Sequence, residues 1–299
     1  MTIRTVAVFS PGEMGAAVGG ALHRNGFDVV ASLAGRSGPT KERAEAAGFR
    51  DVGTIDAALA EADFVLSILP PEYAPATADT VAAAMRRTGR TPPYADCNAV
   101  SPQTAKQIEA VIRGAGAIFI DGGIIGSPPG KSPKATRLFV SGPEAVLMDA
   151  FDEKGLDIRQ SGTEIGRASA IKMCYAGITK GTSALHAAVL IAAEGLGVGD
   201  ELHEELEYST GPLYKRMENL TPALPAVAAR YIGEMCEISK TMASVGVTSG
   251  FHDGATEIYR LLEQSPFATE RRDTVDASRT MRRTVEICAE YLPARDAAE

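Results

Sequence analysis

Two rhythms divide the chain. From Thr5 to about Val140, short runs rich in β-branched and other apolar residues recur at Val6–Phe9, Val29–Leu33, Phe64–Leu69, Tyr94–Asp96, Ile118–Asp121 and Leu138–Val140. Between them lie Ala-rich stretches of helical character at Met14–Asn25, Thr40–Ala47, Pro75–Arg87 and Pro102–Arg113. Gly26 and Gly48 stand where helix C-terminal caps belong. Strand–helix alternation of this kind predicts an α/β fold, a Rossmann-type doubly wound and mainly parallel sheet.

After about Gly162 the strand signal stops. Gly166 to Glu194 is a proline-free, helix-compatible run long enough to cross between two lobes. Helical patterns follow at Glu201–Ser209, Pro222–Val245, Thr256–Gln264 and Thr274–Tyr291. The expectation is a Rossmann domain over 1–162 and an all-helical substrate and dimerisation domain over 163–299, with the tail Ala294–Glu299 disordered. The apolar stripes of the long run and of Pro222–Val245 exceed what one small helical lobe buries, which predicts a homodimer.

Composition narrows the function classes. A chain of 299 residues suits two domains. The net charge is −8 and no dense Lys/Arg stripe occurs, so neither nucleic acid nor an anionic membrane is an expected partner. No apolar stretch reaches the ~18 residues of a transmembrane helix, and the first residues lack signal-peptide architecture, so the expected location is the cytoplasm. Cys97, Cys174, Cys236 and Cys288 lie far apart without a CxxC pair, which indicates reduced thiols. No HExxH, nucleophile elbow or metal-ligand cluster appears, which leaves a small-molecule substrate and no metal.

Directly after the first strand comes S-P-G-E-M-G: Ser10, Pro11, Gly12, Glu13, Met14 and Gly15. Glycines at a strand-to-helix turn let the backbone approach a pyrophosphate, whose charge meets the helix N-terminus. The segment fits GxGxxG with Ser10 at the first glycine position, and its place inside a βαβ unit is what separates it from an ordinary tight turn. NAD-specific folds place an acid about 20 residues beyond the glycines. Here that position holds Arg36 followed by Ser37, with Lys41 beyond. A guanidinium fork and a hydroxyl suit a ribose 2′-phosphate, so NADP(H) is favoured over NAD(H). A solvated basic loop is the competing reading.

At this point the chain resembles the β-hydroxyacid dehydrogenase group, which includes 6-phosphogluconate and 3-hydroxyisobutyrate dehydrogenases. G-E-M-G (Gly12–Gly15) resembles that family's glycine-loop ending, and G-R-S (Gly35–Ser37) is similar to its N-R-T loop. S-I-L-P-P (Ser67–Pro71), with Leu69 and Pro70, resembles the strand end over the nicotinamide ribose. D-C-N-A-V-S-P (Asp96–Pro102) follows D-x-S-T-x-x-P, with Asn98 in the serine position. D-G-G-I-I-G-S (Asp121–Ser127) lies where the family has D-A-P-V-S-G-G. Ile125 replaces the serine that contacts substrate, while Gly126 and Ser127 stand beside it. G-R-A-S-A-I-K-M-C-Y-A (Gly166–Ala176) is similar to G-x-G-x-x-x-K-x-x-N-N. Lys172 therefore matches the catalytic lysine, and Tyr175 and Ala176 replace the two asparagines. The resemblance covers the whole chain in order, strongly in the first half and loosely in the second, and implies an atypical subgroup.

The residues support the same chemistry. Apolar flanks around Lys172 would lower the pKa of a buried ammonium, suiting it to take and return a hydroxyl proton. Lys172, Ala176, Thr179 and Ser183 share one helix face, where Thr179 and Ser183 are placed to hydrogen-bond a substrate, and Lys180 lies ~80° around. A solvated lysine is the alternative. His186 and His252 are candidate acids or bases that a structural role explains as readily. Glu234 and Glu237 lie in a segment that in the family reaches toward the site, and a solvated helix face explains them equally well. The leading reading is an NADP-dependent dehydrogenase or reductase acting on a β-hydroxyacid-like small molecule. An imine reductase or reductive aminase is the second, kept open by Tyr175, and a non-catalytic NADP sensor the third. The lost asparagine and serine contacts imply fewer hydrogen bonds than a sugar acid demands.

Overall fold

The computed structural model describes residues 2–9, 11–271 and 274–293, which form two compact units, Met1–Cys174 and Tyr175–Glu299. The strand pattern of the first half becomes one eight-stranded sheet in the order β3-β2-β1-β4-β5-β6-β7-β8. In chain order the elements of this unit are β1 (Thr5–Phe9), α1 (Glu13–Arg24), β2 (Asp28–Ala31), α2 (Gly38–Ala46), β3 (Arg50–Asp51), α3 (Ile55–Glu61), β4 (Phe64–Ser67), α4 (Ala74–Thr88), β5 (Tyr94–Asp96), α5 (Pro102–Arg113), β6 (Phe119–Ile125), β7 (Thr136–Ser141) and β8 (Leu156–Gln160). All neighbours run parallel except β6 and β7. That is the mainly parallel, doubly wound sheet expected from the alternation.

The strands are apolar at successive positions because both faces are covered. Val6 and Val8 point into a core with Val18 and Leu22 of α1. Ala7 and Phe9 point the other way, into a core with Leu59 of α3, Met85 of α4 and Ile108 and Ile112 of α5. Each fully buried side chain of this size contributes about 1.5–3 kcal/mol relative to exposure. Gly26 (φ +89°) and Gly48 (φ +82°) follow the caps of α1 and α2 in the left-handed conformation, as a C-terminal stop requires.

Several boundaries differ from the sequence expectation, each for a local reason. β2 ends at Ala31, not Leu33, because the Leu33 amide donates to Asp51 Oδ1 (3.1 Å) and the Ser32 hydroxyl to Gly53 O (2.9 Å). β4 ends at Ser67, since the Leu69 amide donates to Asn98 Oδ1 (2.7 Å). β6 runs past Asp121 to Ile125, where Gly122–Ile125 pair antiparallel with β7. Two strands and a helix were not expected: the edge-lying β3 and β8, too polar to read as buried strands, and α3, whose Thr54 cap accepts from the Ala57 amide (3.1 Å).

Among its described residues the second unit consists of helices joined by turns, with no strand. α6 (Arg167–Leu196) is a single helix of 30 residues that passes from the first unit into the second. α7 (Gly199–Leu220) continues beyond the expected end at Ser209 through a kink at Thr210 (φ −134°, ψ 39°), two residues before Pro212. Pro212 lacks the amide the helix ladder needs, so the kink falls where the sequence reading stopped. Short 3₁₀ turns containing Pro222 and Pro225 precede α8 (Ala228–Ala243), which therefore starts later than expected. α9 (Gly250–Glu263) begins earlier than Thr256, and α10 (Met281–Ala289) is shorter than Thr274–Tyr291. No helix among the described residues is long and apolar enough to cross a membrane. Ser10 and the tail Ala294–Glu299 lie outside the described residues.

Candidate active site

The carboxyl ends of four parallel strands form one row. Phe9 is in register with Ser67, Ser67 with Asp96, and Asp96 with Asp121. S-P-G-E-M-G, S-I-L-P-P and D-C-N-A-V-S-P all leave the sheet from this row, and D-G-G-I-I-G-S crosses it in β6. In an open α/β sheet ligands bind outside this edge, at loops whose roots the strands hold fixed.

Gly12 is the N-cap of α1 and offers no side chain to the first amides of the helix. Pro11 and Gly15 are buried, Met14 is half-buried and Glu13 is exposed. Bare amides at the positive end of a helix, directly behind a strand end, fit a pyrophosphate. At the end of β2, Gly35 takes φ +71° and the Arg36 amide donates to Leu33 O (3.1 Å), closing a turn that leaves Arg36, Ser37 and Lys41 exposed. Ser37 is the N-cap of α2, its hydroxyl 3.0 Å from that of Thr40. Asp51, at the root of this turn, has its carboxylate engaged by the Leu33 and Gly53 amides (3.1 and 2.9 Å).

Asn98 is buried and its side chain ties two strand ends together. Its amide nitrogen donates to Ser67 Oγ (3.0 Å) and Asp96 Oδ2 (2.9 Å), and its oxygen accepts from the Leu69 amide (2.7 Å). Both amide hydrogens are thus committed to the protein, and Asn98 shapes the loop carrying the half-buried Leu69 and Pro70. Burial pushes the Asp96 carboxyl up to about 7 against the hydrogen bonds from Asn98, with a smaller upward push from Asp121.

Asp121 is the residue that sequence reasoning passed over. Its Oδ2 accepts from Ser141 Oγ (2.9 Å) and from the amides of Gly166 (3.0 Å) and Ser169 (3.1 Å), and its Oδ1 accepts from Ser169 Oγ. Ser141 Oγ in turn accepts from the Ala168 amide (3.1 Å). A carboxylate on β6 therefore caps the start of α6, where the helix dipole favours negative charge. Burial raises its pKa, and the four hydrogen bonds oppose that shift. The signal was present: a lone acid in the apolar strand F-I-D-G-G-I-I must find partners inside.

Gly123 completes the anchor. A Cβ there would stand 2.8 Å from Ala168 O and 2.9 Å from Lys172 Cβ, so α6 crosses β6 in direct backbone contact. Lys172, half-buried, is thereby rooted against β6 beside the row of strand ends. Gly126 (φ +123°) and Ser127 are exposed in the turn after β6, where Ser127 O accepts from Thr136 Oγ1 (2.6 Å).

The remaining candidates belong to the helical unit. Tyr175 is exposed and Thr179 half-buried, its hydroxyl donating to Tyr175 O (3.1 Å), and both line a cavity of that unit. His186 is buried and held below its ordinary pKa first by burial, then by the charge of Arg216. His252 packs its ring on Gly177 and Gly181 of α6. Glu234 and Glu237 are not solvated: both are buried, Glu234 paired with Lys180 (2.6 Å) and Glu237 with Lys240 (2.5 Å). Helix periodicity alone could not reveal this, because the neighbouring helices supply the cover. Among the described residues no group of three metal-ligating side chains forms.

Residues 5–152 match the family model described as the NAD binding domain of 6-phosphogluconate dehydrogenase, and residues 193–262 match a domain of unknown function, DUF1932. The conserved protein MTH1747, of unknown function and structurally similar to 3-hydroxyacid dehydrogenases, is 30% identical, with 86% of this chain and 98% of that one covered and a TM-score of 0.62. The chain belongs to the 6-phosphogluconate dehydrogenase-like family of NAD(P)-binding proteins. More distant members of the fold include the 3-hydroxyisobutyrate dehydrogenase of Mycobacterium tuberculosis, solved with L-serine (20% identity; 92% and 98% covered; TM-score 0.64). The imine reductase of Myxococcus stipitatus, solved with NADP+, also shares the fold (19%; 87% and 93%; 0.57). As a 6-phosphogluconate dehydrogenase-like protein the chain is an NAD(P)-dependent oxidoreductase. The DUF1932 match over residues 193–262 fits the atypical subgroup that the replaced asparagines implied.

Proposed function

We propose that the protein uses NADP(H) to interconvert a hydroxyl and a carbonyl on a β-hydroxyacid-like small molecule, with Lys172 as general acid/base. The observation that carries this reading is the rooting of Lys172 against Gly123, on a helix whose start is capped by Asp121, beside the strand ends of a dinucleotide-binding sheet. The nicotinamide supplies hydride transfer at the reacting carbon. The chain's own share begins with holding the pyrophosphate on Pro11, Gly12, Glu13, Met14 and Gly15, with Leu69 and Pro70 near the ribose. Arg36 and Ser37 take the 2′-phosphate, since the exposed turn carries a cation and a hydroxyl and no acid. Lys172 then takes the hydroxyl proton in oxidation and returns it in reduction. Gly126, Ser127, Tyr175 and Thr179 contribute to substrate binding, Asn98 holds the loop that carries Leu69 and Pro70, and the helical half serves substrate binding and dimerisation.

Imine reduction is the second reading. It is favoured by the exposed Tyr175, which lies about one helical turn beyond Lys172 and offers a phenol as proton donor. The deciding experiment measures NADPH consumption by wild type and Lys172→Ala against carbonyl and imine panels. Removing a general acid/base typically costs 10²–10⁴-fold, about 3–5 kcal/mol of barrier. Lys172→Ala should lose at least about 100-fold in kcat on the hydroxyacid or ketoacid the wild type accepts, with NADPH affinity unchanged. Undiminished turnover in the variant overturns the assignment and moves imine chemistry ahead.

A further inference from the structure

The helical unit contains a cavity of about 260 Å³ that has Tyr175, Thr179 and Ser183 in its lining. Its walls come from α6, from the last turns of α7, from the 3₁₀ turns leading into α8 and from the first turn of α8. Leu220, Ala223, Leu224 and Val227 give it apolar surface. The remainder carries Lys180, Arg216 and the phenols of Tyr175 and Tyr231. In a chain of net charge −8, this cavity is lined by two cations and no acid.

The cations differ in their partners. Lys180 is 2.6 Å from Glu234, in a pair whose side chains are only 13% and 9% exposed. Glu234 also lies 3.7 Å from Arg230, so two cations already balance its charge. The Tyr231 ring is in contact with those same cations, its centroid 4.9 Å from Lys180 and 5.2 Å from Arg230. Tyr259 stacks edge-on against Tyr231 (5.3 Å) and donates to Lys180 O (2.8 Å). Lys180 and Tyr231 are thus fixed in place. Arg216 is the contrasting case: it is exposed and forms no ion pair among the described residues. The hydroxyls of Thr179 and Ser183 donate to carbonyls of their own helix (3.1 and 3.0 Å). The donors left for a ligand are therefore those of Arg216, Lys180 and the two phenols.

We propose that this cavity is a binding site for a small organic carboxylate with an apolar body, its acid group held by Arg216 and its carbon skeleton laid on Leu220, Leu224 and Val227. A planar guanidinium matches a carboxylate in bidentate fashion, and a neighbouring cation held rigid by its own partner adds attraction at no further ordering cost. With water occupying ≈ 30 Å³, the cavity takes about nine water-sized groups, enough for a six- or seven-carbon acid and far too few for a nucleotide. The lining includes Tyr175 and Thr179, so the inference rests on the substrate reading proposed above, while occupation of the cavity itself requires no cofactor.

Calorimetric titration of the whole protein with hexanoate and benzoate, against hexanamide and hexylamine, tests this directly. The acids should bind, and the amide and amine should bind at least about tenfold more weakly. Arg216→Gln, a change at an exposed position, should weaken the acids about tenfold or more while NADPH titrates as in wild type. Ala223→Leu, which adds bulk on the apolar surface, should abolish binding of both acids. Equal binding of acid and amide, unchanged acid affinity in Arg216→Gln, or no detectable acid binding at millimolar concentration each overturns the proposal. Retained NADPH titration in every variant keeps that outcome separate from a failure of the cofactor reading.

Discussion

At the scale of single residues, recognition of the cofactor comes down to Arg36. The turn after β2 is built by backbone bonds, with Gly35 in the left-handed region and the Arg36 amide closing onto Leu33. Among the described residues the exposed side chain has no hydrogen bond or ion pair, so it can be exchanged without disturbing the loop. Arg36→Asp should reverse the preference from NADPH to NADH, because a carboxylate accepts from a 2′-hydroxyl and repels a 2′-phosphate. Dissociation constants for both cofactors, measured by fluorescence titration on wild type and variant, check this. A wild type that binds NADH as tightly as NADPH would sink the reading of Arg36. The motif was legible in the sequence since a short loop between a strand and a helix has few ways to fold. The commitment of Asn98 to Ser67, Asp96 and Leu69 was not, because its partners lie on two different strands.

At the scale of elements, the contact between α6 and β6 governs where Lys172 stands. Asp121 satisfies amides at the helix start, and Gly123 lets the helix backbone approach the strand. Gly123→Ala would place a methyl 2.8 Å from Ala168 O and 2.9 Å from Lys172 Cβ, neither of which is the end of a flexible chain. Helix and strand must separate, at a cost of about 1–3 kcal/mol for overpacking. The expected result is a lower unfolding midpoint in denaturant, with kcat reduced and NADPH affinity retained, since the glycine loop of α1 is untouched. A variant of wild-type stability and kcat would show that this contact does not position Lys172. The sequence showed a glycine pair and a lone acid in an apolar strand, but not that a helix 40 residues later would use both.

At the scale of the whole molecule, the exposed face of α6 asks for a partner. Ile178, Leu185 and Leu196 are 73%, 61% and 66% exposed, and with Ile171 and Val189 they recur at seven- and four-residue spacings along one side of the helix. A continuous apolar stripe of this length is unfavourable in water and suits a second copy of the same helix. Light scattering at micromolar concentration should report twice the 31.3 kDa chain mass, and Ile178→Glu with Leu185→Glu should return it to a single chain. A wild-type monomer would count against dimerisation through this face. The stripe differs from the face carrying Lys172, Thr179 and Ser183, so the double variant is expected to keep its fold.

What the sequence by itself determined was local: the alternation of strand and helix, the glycine loop, the basic turn after β2, and the change to helices after the sheet. These follow from spacing of 2.0 and 3.6 residues and from the few conformations that glycine and proline turns allow. Tertiary structure alone decided the edge strands β3 and β8, whose residues are too polar to announce themselves and are held by pairing with a neighbour. It also decided the capping of α6 by Asp121, the burial of Glu234 beside Lys180, and the cation-lined cavity. Each of these depends on groups distant in the chain meeting in an interior where an unpaired charge is costly, and no window of sequence contains both partners.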